Sequence, residues 1–135
     1  MFKTVLVTLL IAFFSFGCDC PCAAETEDMA LENTQWKLVS FGRTRMAVPK
    51  KAWIKFQEDK YSGYAGCNGM GGEVEIKGDT MMLKSGFSTL MACSDMRLET
   101  KFRQEMSKVN SYEVQGDTLI LKHDDHAVLN FIAQC

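Results

Sequence analysis

The chain has 135 residues, 47% of them apolar, and a formal net charge of −2 with a pI near 5.7. This is enough for one modest domain with its own core, and nothing after residue 30 approaches the ~18 consecutive apolar residues that would suggest a membrane span. No basic run exceeds Lys50-Lys51, which argues against nucleic-acid partners, because neutralising phosphates needs clustered cations.

Met1-Phe2-Lys3 forms a small positive n-region, and Val5 to Phe16 is a nearly unbroken apolar h-region. That pattern predicts a secretory leader. Two exits compete. Cys22-Ala23-Ala24 resembles a signal-peptidase site, giving a signal peptide over 1–24 and a chain that begins near Glu25. Gly17-Cys18 resembles the end of a bacterial lipobox, giving a leader over 1–17 and a lipidated Cys18, although Ser15 and Phe16 depart from the usual lipobox residues. The lipoprotein exit is the reading adopted. The expectation is an exported protein, periplasmic or lipid-anchored at the bacterial envelope membrane, and monomeric. Residues 25–30 read as a polar linker and 31–135 as the domain.

The first strand is predicted from Thr34, with Trp36, Leu38 and Ser40 alternating against Gln35, Lys37 and Val39. Gly42 to Lys51 is a basic loop with Pro49, read as solvated or as a contact for a partner. Trp53 to Gln57 is a second strand with Ile54 and Phe56 on one face. Lys60 to Ala65 is a third, with Tyr61 and Tyr64 on opposite faces.

A glycine-dense turn follows, with five glycines from Gly63 to Gly72 around Cys67 and Asn68. Such density requires sharp bends or close backbone approach, and Asn68 fits a left-handed turn position. Glu73 to Lys84 and Ser111 to Lys122 echo one another, each with Gly-Asp at the centre of alternating residues. Both read as hairpins with type II′ tips at Gly78-Asp79 and Gly116-Asp117.

Between the hairpins the spacing of Leu98, Phe102, Met106 and Val109 predicts a helix over about 95–109. Ser94 or Asp95 would cap it, and Glu99, Lys101, Arg103, Glu105 and Lys108 would form its polar remainder. The polar turn His123 to His126 leads into a last strand, Val128 to Ile132. The predicted class is α+β and mainly antiparallel β. About eight strands curl into a partly open, barrel-like sheet, and the helix closes one end.

Six cysteines in an exported chain point to an oxidising compartment. Cys18, Cys20 and Cys22 lie at the leader, whereas Cys67, Cys93 and Cys135 belong to the body. Cys67 and Cys93 are the expected disulfide, worth about 3 kcal/mol by loop closure. The alternative is two small buried thiols.

Candidates for chemistry are few. His123-Asp124-Asp125-His126 contains good metal-ligand types, but four adjacent turn residues seldom converge on one ion. Nine methionines with Cys20-Pro21-Cys22 suggest soft copper ligation, yet filling cores is the ordinary use of methionine. A Cys67 nucleophile would need a neighbouring imidazole, and both histidines sit in the distal turn. No catalytic residues, metal or other cofactor are expected.

Leu31-x-x-Thr34-x-Trp36-x-Leu38 followed by Gly66-Cys67-Asn68-x-x-Gly71 resembles the META-domain, or HslJ-like, family of exported bacterial proteins. Thr89-x-Met91-Ala92-Cys93, Glu99-x-x-Phe102, Tyr112-x-Val114-x-Gly116-x-x-Leu119-x-Leu121 and Leu129-x-Phe131 extend the resemblance over about 31–132. It implies a small barrel-like envelope domain linked to stress, antibiotic tolerance or secretion, without assigned catalytic positions. The motif region is Gly66, Cys67, Asn68, Gly71, Thr89, Met91, Ala92 and Cys93.

Two functions follow from this reading. One is an accessory module that contacts an envelope protein through a sheet edge or the basic loop. The other is a binder of an apolar ligand or lipid tail inside the barrel, with Trp36, Trp53, Tyr61 and Phe87 as lining candidates. An open interior favours the ligand, and a filled one favours the protein partner.

Overall fold

A computed structural model describes residues 28–44 and 51–134. The leader, Cys18, Cys20, Cys22, Cys135 and loop residues 45–50 lie outside these. Eight antiparallel strands and one helix follow in the order β1 (Gln35–Ser40), β2 (Trp53–Gln57), β3 (Lys60–Tyr64), β4 (Gly69–Lys77), β5 (Thr80–Ser88), α1 (Arg97–Met106), β6 (Ser111–Gln115), β7 (Thr118–His123) and β8 (His126–Gln134). Neighbours in sequence are neighbours in the sheet, and β1 pairs with β8 from Gln35↔Gln134 to Ser40↔Asn130, so the sheet forms a ring. The ring has one thin seam: β5 and β6 share only the pair Thr80↔Ser111. The curled, partly open barrel expected from the sequence is the architecture found.

Alternation sorts the side chains. Trp36, Leu38, Ile54, Phe56, Met81, Leu119, Leu121, Leu129 and Phe131 are essentially without solvent access and fill the interior as one core. The turns set the register. Gly78 (φ 63°) and Gly116 (φ 57°) are left-handed while Asp79 and Asp117 are not, the pattern a type II′ tip needs at its first central residue. Asp124 and Asp125 are both left-handed (φ 46° and 62°), as in a type I′ turn, and close β7 onto β8 at His123↔His126.

Helix α1 is shorter than its periodicity suggests. Met96 occupies the cap position without a side-chain hydrogen bond. Asp95, one residue earlier, accepts the Arg97 backbone N–H at 3.0 Å and pairs with its guanidinium at 2.8 Å. At the other end Val109 is buried beyond the last helical turn. The helix closes the end of the ring where the β3–β4 connection lies. Phe102 meets Phe131 edge-on with centroids 6.2 Å apart, and the Lys101 ammonium sits 4.8 Å from the centre of the Phe41 ring.

Residues 28–30 do not behave as a free linker. Met29 donates its N–H to Gly116 O at 2.9 Å, and Asp28 accepts the Gly116 N–H at 2.8 Å. This straps the segment to the β6–β7 turn, at the end of the ring opposite α1's first turn.

Candidate functional site

The residues of the glycine-dense turn, the β5–α1 connection and the helix converge on one buried cluster. Gly66, at φ 101°, makes the bend after β3 that only glycine adopts without strain. The bend delivers Cys67 and Asn68 beneath the connection that carries Thr89, Met91 and Cys93. Cys67 and Cys93 form a disulfide with Cα atoms 6.1 Å apart.

Asn68 is the hub, not a left-handed turn residue; its φ is negative. Its side-chain oxygen accepts the Met91 backbone N–H at 2.7 Å and the Thr89 hydroxyl at 3.0 Å, and its amide nitrogen reaches Met91 O at 3.4 Å. Thr89 Oγ1 in turn accepts the Gly69 N–H at 3.1 Å.

The third arm is Glu99. This side chain, expected on the solvent face of α1, is 2% exposed. Its carboxylate accepts the Asn68 backbone N–H at 2.9 Å and the side-chain amide at 3.2 Å, while Arg103 approaches from the rim at 3.4 Å. A carboxylate is stable at such a place only when its oxygens are satisfied and a cation is near. Both conditions are met, and no buried side-chain nitrogen or oxygen among the described residues lacks a partner. Helical periodicity puts Glu99 on the polar remainder, although it lies three residues before Phe102 and seven before Met106, on the face those residues bury; the signal that marks it is its place in the Glu99-x-x-Phe102 motif.

Gly71 and Gly72 permit close approach of β4 and β5. A Cβ on Gly72 would stand 1.9 Å from Lys84 O, and one on Gly71 would strike the Phe87 ring. Gly86 is the extra residue of a bulge there, since Gly71 pairs with Phe87 and Gly72 with Ser85. The motif region is thus a joint of polar bonds, a disulfide and tight backbone contact. Ala92 lies exposed within it.

The lining candidates separate. Trp36 is buried in the packed core, its indole N–H bonded to Leu31 O at 3.0 Å. Tyr61 is buried at the edge of the core, and burial pushes its hydroxyl pKa up. Trp53 is half-buried. Phe87 does not line the interior: it is 66% exposed on the outer surface. The interior is filled. A cavity of about 80 Å³ lies between β5 and the end of α1, bordered by Tyr61, Met70, Leu83, Arg103 and Met106.

In the distal turn, the Nδ1 of His123 is 2.6 Å from Lys108 O, and Asp124 accepts the Asn110 amide at 2.8 Å. Among the described residues no three His, Cys, Asp or Glu side chains come together as a ligand set.

The fold recurs in solved structures. An NMR structure of a protein from Burkholderia xenovorans is similar with a TM-score of 0.66 at 20% identity, over 87% of this chain and 97% of that one. A second NMR structure gives 0.59 at 22% identity over 76% and 90%. The crystal structure of a DUF4847 family protein from Bacteroides vulgatus gives 0.58 at 12% identity over 76% and 93%. No protein of curated function matches. The META domain family profile matches residues 29–134, nearly all of the described chain, and this chain belongs to the META-domain family.

Proposed function

We propose that the protein is a non-catalytic accessory module of the bacterial envelope, tethered through a lipidated Cys18, that works by contacting another envelope protein. The observation that carries this reading is where its apolar surface lies. The interior is occupied by its own side chains, whereas Phe87, Leu90 (97% exposed) and Met91 stand in solvent on and beside the joint. Three large apolar side chains held outward within five residues suit a protein contact better than a ligand pocket. The disulfide and the Asn68 network hold that segment in one shape, which lowers the ordering cost of binding.

The polar cluster supports a structural role, because each group in it is spent on another group of the protein. The lipid-tail reading draws less support, since Trp36 is itself buried among the packed core side chains of the described residues. In detergent extracts of its source cells the protein is expected to migrate in a complex well above the mass of the single lipidated chain. Serine at both Leu90 and Met91 should release it from that complex. Monomer-sized migration of the unaltered protein would sink the proposal. Intact mass of the native chain tests the tether: a diacyl adduct on Cys18 supports it, and a chain starting near Glu25 removes it.

A further inference from the structure

The seam of the ring leaves one side of β5, beyond its first two residues, without a strand among the described residues. Met81 donates its N–H to Asn110 O at 3.2 Å, on the side away from β4. With a period of two, Leu83 and Ser85 present their N–H and C=O groups along that same edge. The register with β6 ends at Thr80↔Ser111, so among the described residues no strand meets these groups, and residues 84–87 are exposed.

Natural edges are usually blunted by proline, a covering element or a charge aimed across them. Here Lys84 turns instead to Glu75 on the neighbouring strand, and β5 holds no proline.

Facing the edge, the last turns of α1 supply Arg103 and Met106, and the cavity of about 80 Å³ lies between. A strand edge opposite a helix, with a small hole between them that has Leu83 and Met106 on its apolar side and Ser85, Ser88 and Arg103 on its polar side, is suited to receive an extended peptide. The charge of the rim specifies it further. The Nη1 of Arg103 binds Ser88 Oγ at 3.2 Å and Glu99 at 3.4 Å, and its Nε and Nη2 make no hydrogen bond among the described residues. A guanidinium with donors to spare, about half exposed at the mouth of a peptide groove, matches a carboxylate.

We propose that the β5 edge from Leu83 to Ser88 is a strand-addition site for an extended segment of a partner protein. That segment inserts one short aliphatic side chain between Leu83 and Met106 and places a carboxylate on Arg103. This deepens the partner-contact reading above and rests on it.

The probe is a short N-acetylated peptide of alternating valine and threonine with a free C-terminal carboxylate, compared with its carboxamide. Hydrogen exchange at the Leu83 and Ser85 amides should slow by about tenfold or more when the free acid binds. The carboxamide should bind about tenfold more weakly, and Arg103→Gln should erase that difference. Ser85→Pro removes a donor that β4 does not use, so the fold is retained and binding is lost. If that variant does not fold, N-methylation of alternate amides in the probe makes the same cut from the peptide side.

Unslowed exchange at Leu83 and Ser85 with either peptide, or undiminished binding to Ser85→Pro or of the N-methylated probe, overturns the site. Exchange at these amides that slows with protein concentration alone assigns the edge to a second copy and also overturns it. Loss of this site leaves the envelope-complex experiment unaffected, so the two proposals fail separately.

Discussion

Asn68 and Glu99 are joined by a buried carboxylate that accepts both the backbone N–H and the side-chain amide of the asparagine, at 2.9 and 3.2 Å. This relationship ties the glycine-dense turn to the helix across 31 residues of sequence. It also keeps the Asn68 amide oriented so that its oxygen faces Met91 and Thr89.

Glu99→Ala is therefore expected to destabilise the domain by about 2–4 kcal/mol, because two buried donors lose their acceptor at once. Glu99→Gln keeps the shape but turns one acceptor into a donor, and should cost about 1–3 kcal/mol. Urea denaturation of the purified domain measures both. A loss under ~0.5 kcal/mol for Glu99→Ala, the ordinary range for a surface residue, would show that the network is not needed.

Reduction of Cys67–Cys93 releases a loop of 26 residues and should lower stability by about 3 kcal/mol in the loop-closure account. The bonds from Asn68 to Met91 and Thr89 still hold the connection, so the reduced protein is expected to stay folded at neutral pH. Paired denaturation curves with and without reductant test this; unfolding on reduction alone would contradict it.

The two glycine roles predict an order of damage. Gly72→Ala puts a methyl group onto Lys84 O and forces β4 from β5. Gly78→Ala meets nothing within 4 Å and bears only the strain of a left-handed φ, about 1 kcal/mol. Thermal melting should therefore fall further for Gly72→Ala. The reverse order would mean that the strands separate there without cost.

Burial raises the pKa of Tyr61 above its ordinary 10.0, and the nearby Arg103 charge only partly opposes it. A group whose folded pKa is raised contributes stability below its unfolded pKa and loses it as pH climbs through the folded value. Stability should fall above pH ~10, and Tyr61→Phe should flatten that part of the profile. Denaturation across alkaline pH measures it, with an identical fall in the variant as the contrary result.

Much of the fold is legible because strand periodicity is local. Trp36, Leu38, Ile54 and Phe56 alternate with polar residues, and the Gly-Asp tips set the registers of two hairpins. The pairing of β1 with β8 and the seam at β5 depend on contacts distant in sequence, which no local pattern encodes. The helix begins late because Asp95 bonds to the Arg97 N–H from outside the cap position. Glu99 misleads for a physical reason: glutamate on an amphipathic helix is ordinarily solvated, and only the donors brought by Asn68 make its burial tolerable. Phe87 misleads the opposite way, as an aromatic strand residue turned outward beside a bulge and stacked over Gly71.

The most direct test of the account places a photoreactive residue at Leu90, beside the joint, and in a second strain at Glu58, in the β2–β3 turn at the other end of the ring. Irradiation of living source cells should trap one recurrent protein from position 90 and none from position 58. Adducts from position 58 alone, or no protein adduct from position 90, would contradict the claim that this domain works through its exposed apolar joint.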